Sequence, residues 1–231
     1  MKTRILYATA FVSVVSVSGA CTPARIAVPA DLAKEAEEIQ VTDRSRMTGA
    51  LANESFKMGS FQITDVDRKW NSSSGFTIGR FSSEGKKTGY SFTFKGPGGE
   101  AKVKCASEHV NKEAKLFGGS IGTSAATIGC QCEGPGAQAE LVLSTNEFNT
   151  YSGQAQTRGG AYSVTAIDKC ETGSCGVSPA GYDIRAQSAA GAFEIFHPGR
   201  LWLARSLAAD ARADLACLAA GVMLYLPPSE N

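Results

Sequence analysis

The sequence predicts a mainly β protein: an antiparallel barrel or strongly curled sheet of about 11–12 strands enclosing a C-terminal apolar α-helix. Three observations point there. From residue 54 onward, short runs of alternating apolar and polar residues follow one another, separated by Gly-, Pro- and Asn-containing turns. Glycine is abundant, at 25 of 231 residues, which suits many turns between short strands. Residues 215–226 (LACLAAGVMLYL) then carry no polar group except the Tyr225 phenol. A helix that is apolar all round must be covered on every side. One flat sheet cannot do that, whereas a closed or curled one can. A β-sandwich with the helix packed on one face is the alternative.

The elements follow in chain order. Lys2 and Arg4 precede an apolar or small stretch, 5–17, and Ser18-Gly19-Ala20 supplies small residues just before Cys21. The apolar run, about 15 residues, is shorter than the ~20 needed to span a bilayer, so residues 1–20 form a removable export signal. With a cysteine at the cleavage point, the segment resembles a bacterial lipoprotein signal peptide, although Ser18 stands where such signals usually carry an aliphatic residue. The resemblance implies that Cys21 is diacylated, becomes the new N-terminus and anchors the chain to a membrane. Thr22, rather than Asp, after the cysteine resembles the outer-membrane pattern of enterobacterial lipoproteins. The expected location is therefore the bacterial cell envelope, at the outer membrane. The rival is an ordinary secretory signal cut near Ala20, with Cys21 free or disulfide-bonded.

Residues 21–53 are expected to be the lipidated N-terminus and a flexible tether. They contain Pro23 and Pro29, a helix candidate at 31–39 (DLAKEAEEI), and a polar run through Thr42, Asp43, Arg44 and Arg46. Asp31 can cap that helix, but its apolar face of Leu32, Ala36 and Ile39 is thin. The β domain is expected at 54–226. Its first strand, 56–66, alternates Phe61 and Ile63 with Gln62 and Thr64. Turns at 71–75, 84–89 and 96–99 lead into strands at 76–78, 90–94 and 100–105. Further strands are expected at 126–132, 138–144, 149–156, 161–168, 182–187, 192–196 and 201–203. The segment 96–103 (GPGGEAKV) is echoed by 134–141 (GPGAQAEL), two Gly-Pro-Gly turns each feeding an alternating strand. The closing helix spans 207–226, with Ser206 as N-cap, Asp210 and Asp214 in its first turns, and Pro227-Pro228 as the stop before a short tail, 227–231.

The stretch 182–196 (YDIRAQSAAGAFEIF), then Gly199-Arg200-Leu201-Trp202-Leu203 and the apolar helix, resembles the closing hairpin and core helix of the tubby-like barrel, shared with LURP-one and scramblase-type proteins. The likeness is architectural and implies a fold over 54–226; it carries no site residue across.

Composition narrows the function. Removing residues 1–20 takes away Lys2 and Arg4 and no acid, leaving 21 basic and 22 acidic residues. A near-neutral chain without basic blocks has no electrostatic footprint for nucleic acid. Six cysteines remain beyond Cys21, and an even number in an exported chain points to disulfides. Cys170 and Cys175 flank a short Gly-containing loop and can pair. Cys105 is expected to pair with Cys130 or Cys132, which share one face of a strand and are badly placed to bond each other. Cys217, in the apolar helix, reads as a buried thiol.

No constellation compels catalysis. Gly118-Gly119-Ser120-Ile121-Gly122 matches the Gly-x-Ser-x-Gly pattern, and Asp168 or Asp183 and then His197 follow in hydrolase order. That motif needs a strand-to-helix elbow, whereas residues 123–129 read as loop and strand. An exported serine hydrolase using Ser120, Asp183 and His197 is the alternative to a non-catalytic binding or structural domain. His109 and His197 are the only histidines, and Cys130-x-Cys132 lacks zinc spacing, so no metal or other cofactor is expected. Asp65 and Asp67 lack the third acid and glycine of a calcium loop and read as a turn neutralised by Arg68 and Lys69. Trp70 and Trp202 are expected to serve packing, and Lys86-Lys87 to keep a hairpin tip soluble.

Overall fold

The structure is a computed structural model, and it describes residues 24–44, 54–70, 76–78, 81–83, 87–116, 119–145 and 151–225. A short helix α1 (Ala30–Glu35) leads into β1 (Ala36–Thr42), and then come β2 (Phe56–Met58), β3 (Phe61–Trp70), β4 (Phe76–Ile78), β5 (Phe81–Ser83), β6 (Lys87–Gly96), β7 (Gly99–Leu116) and β8 (Gly119–Glu133). The second half holds β9 (Ala139–Thr145), β10 (Tyr151–Thr157), β11 (Gly160–Ile167), β12 (Lys169–Cys170), β13 (Gly173–Ser174), β14 (Gly181–Arg185), β15 (Ala189–Glu194), β16 (Arg200–Ala204) and α2 (Ala209–Leu224).

Twelve strands close into an antiparallel barrel in the order β1-β16-β15-β14-β11-β10-β9-β8-β7-β6-β3-β2, while β4–β5 and β12–β13 form separate two-stranded pairs. Closure excludes the sandwich. Twelve strands make a barrel wider than the ~8 whose inward side chains fill the interior unaided. The extra space takes α2, whose cylinder with side chains is about 10–12 Å across. Every residue of α2 from Ala213 to Leu224 is buried. Alternating inward side chains pack around it: Phe92, Phe94, Val103, Ile128, Leu141, Leu143, Val164, Ile184, Leu201 and Leu203 are all buried in one core cluster with the helix. The helix runs from the rim carrying the β2–β3, β6–β7, β8–β9 and β10–β11 turns to the rim carrying the β15–β16 loop.

All six cysteines beyond Cys21 are paired: Cys105–Cys130, Cys132–Cys217 and Cys170–Cys175. The first joins the register partners Cys105 and Cys130 of β7 and β8. Cys217 is not a free thiol. Its position in α2 faces β8, so the inward Cys132 reaches it and ties the helix to the wall. Asp214, Cys217 and Gly221 lie on one face of α2, and that face is turned to β7–β10.

Gly221 sits against the first disulfide. A Cβ there would lie 2.8 Å from the Cys130 sulfur and 2.9 Å from the Cys105 sulfur. Alanine would normally gain about 1 kcal/mol over glycine inside a helix, but here contact decides the sign. Gly221→Ala is expected to lower stability by about 1–2 kcal/mol, as overpacking does, read as a lower urea midpoint at unchanged m-value.

Four further expectations need correction. Residues 24–42, placed in a flexible tether, are folded: α1 lies on the outer wall and β1 closes the barrel between β16 and β2. The helix expected at 31–39 ends at Glu35 because Ile39 and Val41 face the core with period two while Glu38 and Gln40 face out. The strand expected at 56–66 is a hairpin turned at Gly59-Ser60. Ser206 is not the N-cap; α2 begins at Ala209, after Ala208, and no side chain caps it.

Candidate functional site

At the rim where α2 begins, the two Gly-Pro-Gly turns are neighbours. A Cβ on Gly98 would sit 3.4 Å from the Pro135 carbonyl oxygen, and the Gly136 amide donates to Glu100 O at 3.2 Å. The repeated sequence is thus one turn solution used twice on adjoining hairpins. Behind these turns the Asp214 carboxylate, fully buried, accepts from the Gln138 amide (2.8 Å), the Arg158 amide (2.9 Å) and the Arg158 guanidinium (2.7 Å from Nη2). The bond to Asp214 holds the Arg158 pKa above its ordinary value. One carboxylate therefore fastens the helix start to the β8–β9 and β10–β11 connections.

Two concavities flank this point. A groove of about 430 Å³ lies between β1, the β2–β3 and β6–β7 turns and the start of α2, lined by Glu37, Ile39, Phe61, Pro97, Arg212 and Ala213. A cleft of about 270 Å³ on the outer wall is lined by Gln131, Glu133, Gln138, Glu140, Gln156 and Arg158. The first combines apolar walls with an Arg212–Glu37 ion pair. The second presents amides and carboxylates. Neither places a nucleophile beside a base among its lining residues.

The opposite rim is built to receive the end of α2. The last carbonyls of a helix have no partner within it and carry its negative pole. Tyr90 donates its hydroxyl to Gly221 O at 2.5 Å, Arg44 donates Nη2 to Met223 O at 2.5 Å, and Arg68 donates Nη1 to Leu224 O at 2.9 Å. Arg68 is paired with Glu54 at 2.5 Å, both side chains about a tenth exposed. Arg44 also donates to Ile195 O and Pro198 O, and burial pushes its pKa down. Burial likewise pushes the Tyr90 and Tyr225 phenols well up.

A third region is the outer wall over β14–β16, covered by residues 24–35 and the loop carrying β12–β13. Ile26, Leu32, Ala180, Ala192 and Trp202 form a second buried cluster there, and the Arg25 guanidinium lies 5.9 Å from the centre of the Trp202 ring. Trp202 therefore serves packing. Glu194 is fully buried; it accepts from the Ile26 amide (3.1 Å) and from Arg200 (3.0 Å), and burial raises its pKa. Asp31 of α1 receives two bonds from Arg185, which hold its pKa at about 2.

The residues of the hydrolase alternative are placed on three elements. Ser120 is the second residue of β8, opposite Lys115 of β7, where the β7–β8 pair continues beyond its pairing with β6 and β9. Strand, not helix, follows it. Asp183 is on the outer wall, bound to Arg185. His197 is in the β15–β16 loop, with Nε2 2.7 Å from Arg44 O. Between β8 and β15 stand β9, β10, β11 and β14. Asp168 accepts from the Ser178 hydroxyl at 2.8 Å. Asp65 and Asp67 belong to β3 at a bulge, not to a turn between strands, and Asp65 (φ 55) accepts from Thr64. The side chains of His109, Trp70 and Lys87, and residues Cys21 and Lys86, lie outside the described set.

Sequence reasoning missed Arg44, Arg68, Glu194 and the Asp214–Arg158 pair as fold-determining groups. Arg44 fell within the expected tether, and Asp214 looked like an ordinary helix-start acid. A signal for Asp214 was present: it directly abuts a long apolar run. Among the described residues no helix is long and apolar enough to cross a membrane, and no three metal-ligating side chains cluster. No family model, curated protein or solved structure matches the chain.

Proposed function

We propose that the chain is an exported bacterial lipoprotein, anchored to the envelope membrane through acylated Cys21, whose barrel serves a non-catalytic binding or structural role. One observation carries this reading. Every cysteine beyond Cys21 is used in a disulfide, the pattern of a chain that matures in an oxidising compartment. Cys21 is then the one cysteine outside those pairs, and it stands directly after the small residues of an export signal.

The filled lumen bears on the kind of role. The interior of the barrel is taken by its own buried helix, so a partner is expected at the rims or the outer wall, where the 430 Å³ groove and the amide-lined cleft lie. Cys21→Ser is expected to move the protein from the membrane fraction to the soluble fraction while the three disulfides persist. Mass spectrometry of the mature N-terminal peptide should show acyl chains on the parent and none on the variant. A variant retained in the membrane fraction would overturn the anchor.

A further inference from the structure

We infer that the barrel lies flush on the bilayer, with the loop carrying β12–β13 against the lipid, instead of riding on a tether; this rests on the Cys21 anchor proposed above. Held residues begin at Ala24, three positions after the anchor. The Ala24 carbonyl accepts from Arg200 (3.4 Å), Arg25 O accepts from the Glu171 amide (2.9 Å), Ala27 N donates to Lys169 O (2.8 Å), and Ile26 is fully buried. Three residue steps separate Cys21 from Ala24, a reach of at most about 11 Å. A folded domain of some 200 residues has a radius of gyration of about 16 Å. The reach is shorter than the radius, so an acylated Cys21 presses the domain onto the membrane.

The contact face follows from pairing. Ile26 bridges Cys170 in antiparallel sense, which sets Ala24 level with Thr172 at the tip of β12–β13. The Cys170–Cys175 bond holds this loop closed. Two residues past Cys175 stands Val177, 50% exposed and the exposed large hydrophobic residue among those described. The charges around it are largely matched: Arg25 pairs with Glu38 and Glu171, leaving Lys169 exposed at the surface. A disulfide-closed loop beside the point where the anchor leaves, with Val177 exposed on its segment toward β14, fits the headgroup and upper acyl region of a bilayer.

The test uses the full acylated protein in phosphatidylcholine vesicles with or without bromine on the acyl chains, a contact-range quencher of tryptophan. Val177→Trp, and Thr172→Trp as a second probe, are expected to lose most of their added emission in brominated vesicles, after subtraction of the parent signal. Ser60→Trp, on the β2–β3 turn at the far rim, should keep its emission. A flexible Gly/Ser insertion of about ten residues between Pro23 and Ala24, adding roughly 18 Å of reach, should restore emission at both probes. Unquenched probes on a protein whose Cys21 carries its acyl chains would overturn the flush arrangement and leave the anchor standing. Quenching unchanged by the insertion would also overturn it. A mature peptide without acyl chains would overturn anchor and arrangement together.

Discussion

Replacing Cys132 and Cys217 together by alanine is expected to cost about 4–5 kcal/mol of unfolding free energy. The bond closes a chain separation of 85 residues, and the loop-closure relation gives about 4.5 kcal/mol for that length. The same relation gives about 3.5 kcal/mol for Cys105–Cys130, separated by 25, and about 2 for Cys170–Cys175, separated by 5. For a domain of this size each kcal/mol lowers Tm by about 2–4 °C, so the double variant should melt about 10–18 °C below the parent. The ranking is the sharper check. Removing the helix-to-wall bond should hurt most and removing the loop bond least, in paired alanine variants measured without reductant. The reason is topological: α2 is the last element of the chain, and this bond is its covalent hold on the wall that surrounds it. A Tm within 2 °C of the parent, on the scale of a single kcal/mol, would show that packing alone seats the helix.

What the sequence showed and hid follows from how far each element's partners lie along the chain. The apolar helix was legible because twelve successive residues, 215–226, leave no face for water. Strands such as β6 were legible because Tyr90, Phe92 and Phe94 alternate with polar neighbours, and the Gly-Pro-Gly turns mark their ends. β1 was not. Its residues AEEIQVT are good helix formers as far as Glu38, and what makes them a strand is pairing with β16, more than 150 positions downstream. Propensity lost to closure: without β1 between β16 and β2, the barrel would have two open edges. The same distance hid Arg44 and Arg68, which only the helix end explains. Cys217 had no local sign of its partner. The groove and the outer cleft were invisible because their walls come from elements scattered through the chain.

Asp214→Ala is expected to cost about 3–4 kcal/mol, and the measurement is chemical denaturation alongside Asp214→Asn, Arg158→Ala and Asp210→Ala. Removing one partner of a buried ion pair costs about 3–5 kcal/mol, because the other is left uncompensated. Here the residue left behind is Arg158, whose side chain is 27% exposed and can be hydrated in part, which pulls the cost toward the lower figure. Two backbone donors, Gln138 N and Arg158 N, would also lose their acceptor, at about 1–3 kcal/mol for each that stays dry. Asparagine keeps an acceptor oxygen for one of these amides and loses the charge, so it should fall between alanine and the parent. Asp210, 71% exposed and 3.8 Å from Arg158, should matter by less than about 0.5 kcal/mol. That contrast separates two roles for acids at a helix start. If Asp214 merely complemented the helix dipole, its loss and that of Asp210 would each cost well under 1 kcal/mol. If it locks the rim, the two differ several-fold, and Asp214→Ala combined with loss of the Cys132–Cys217 bond one turn further on should cost more than either alone, because both hold the same helix face against β8–β10. An Asp214→Ala variant within about 0.5 kcal/mol of the Asp210 variant would mean that the helix start is seated by its apolar neighbours and that the carboxylate only follows.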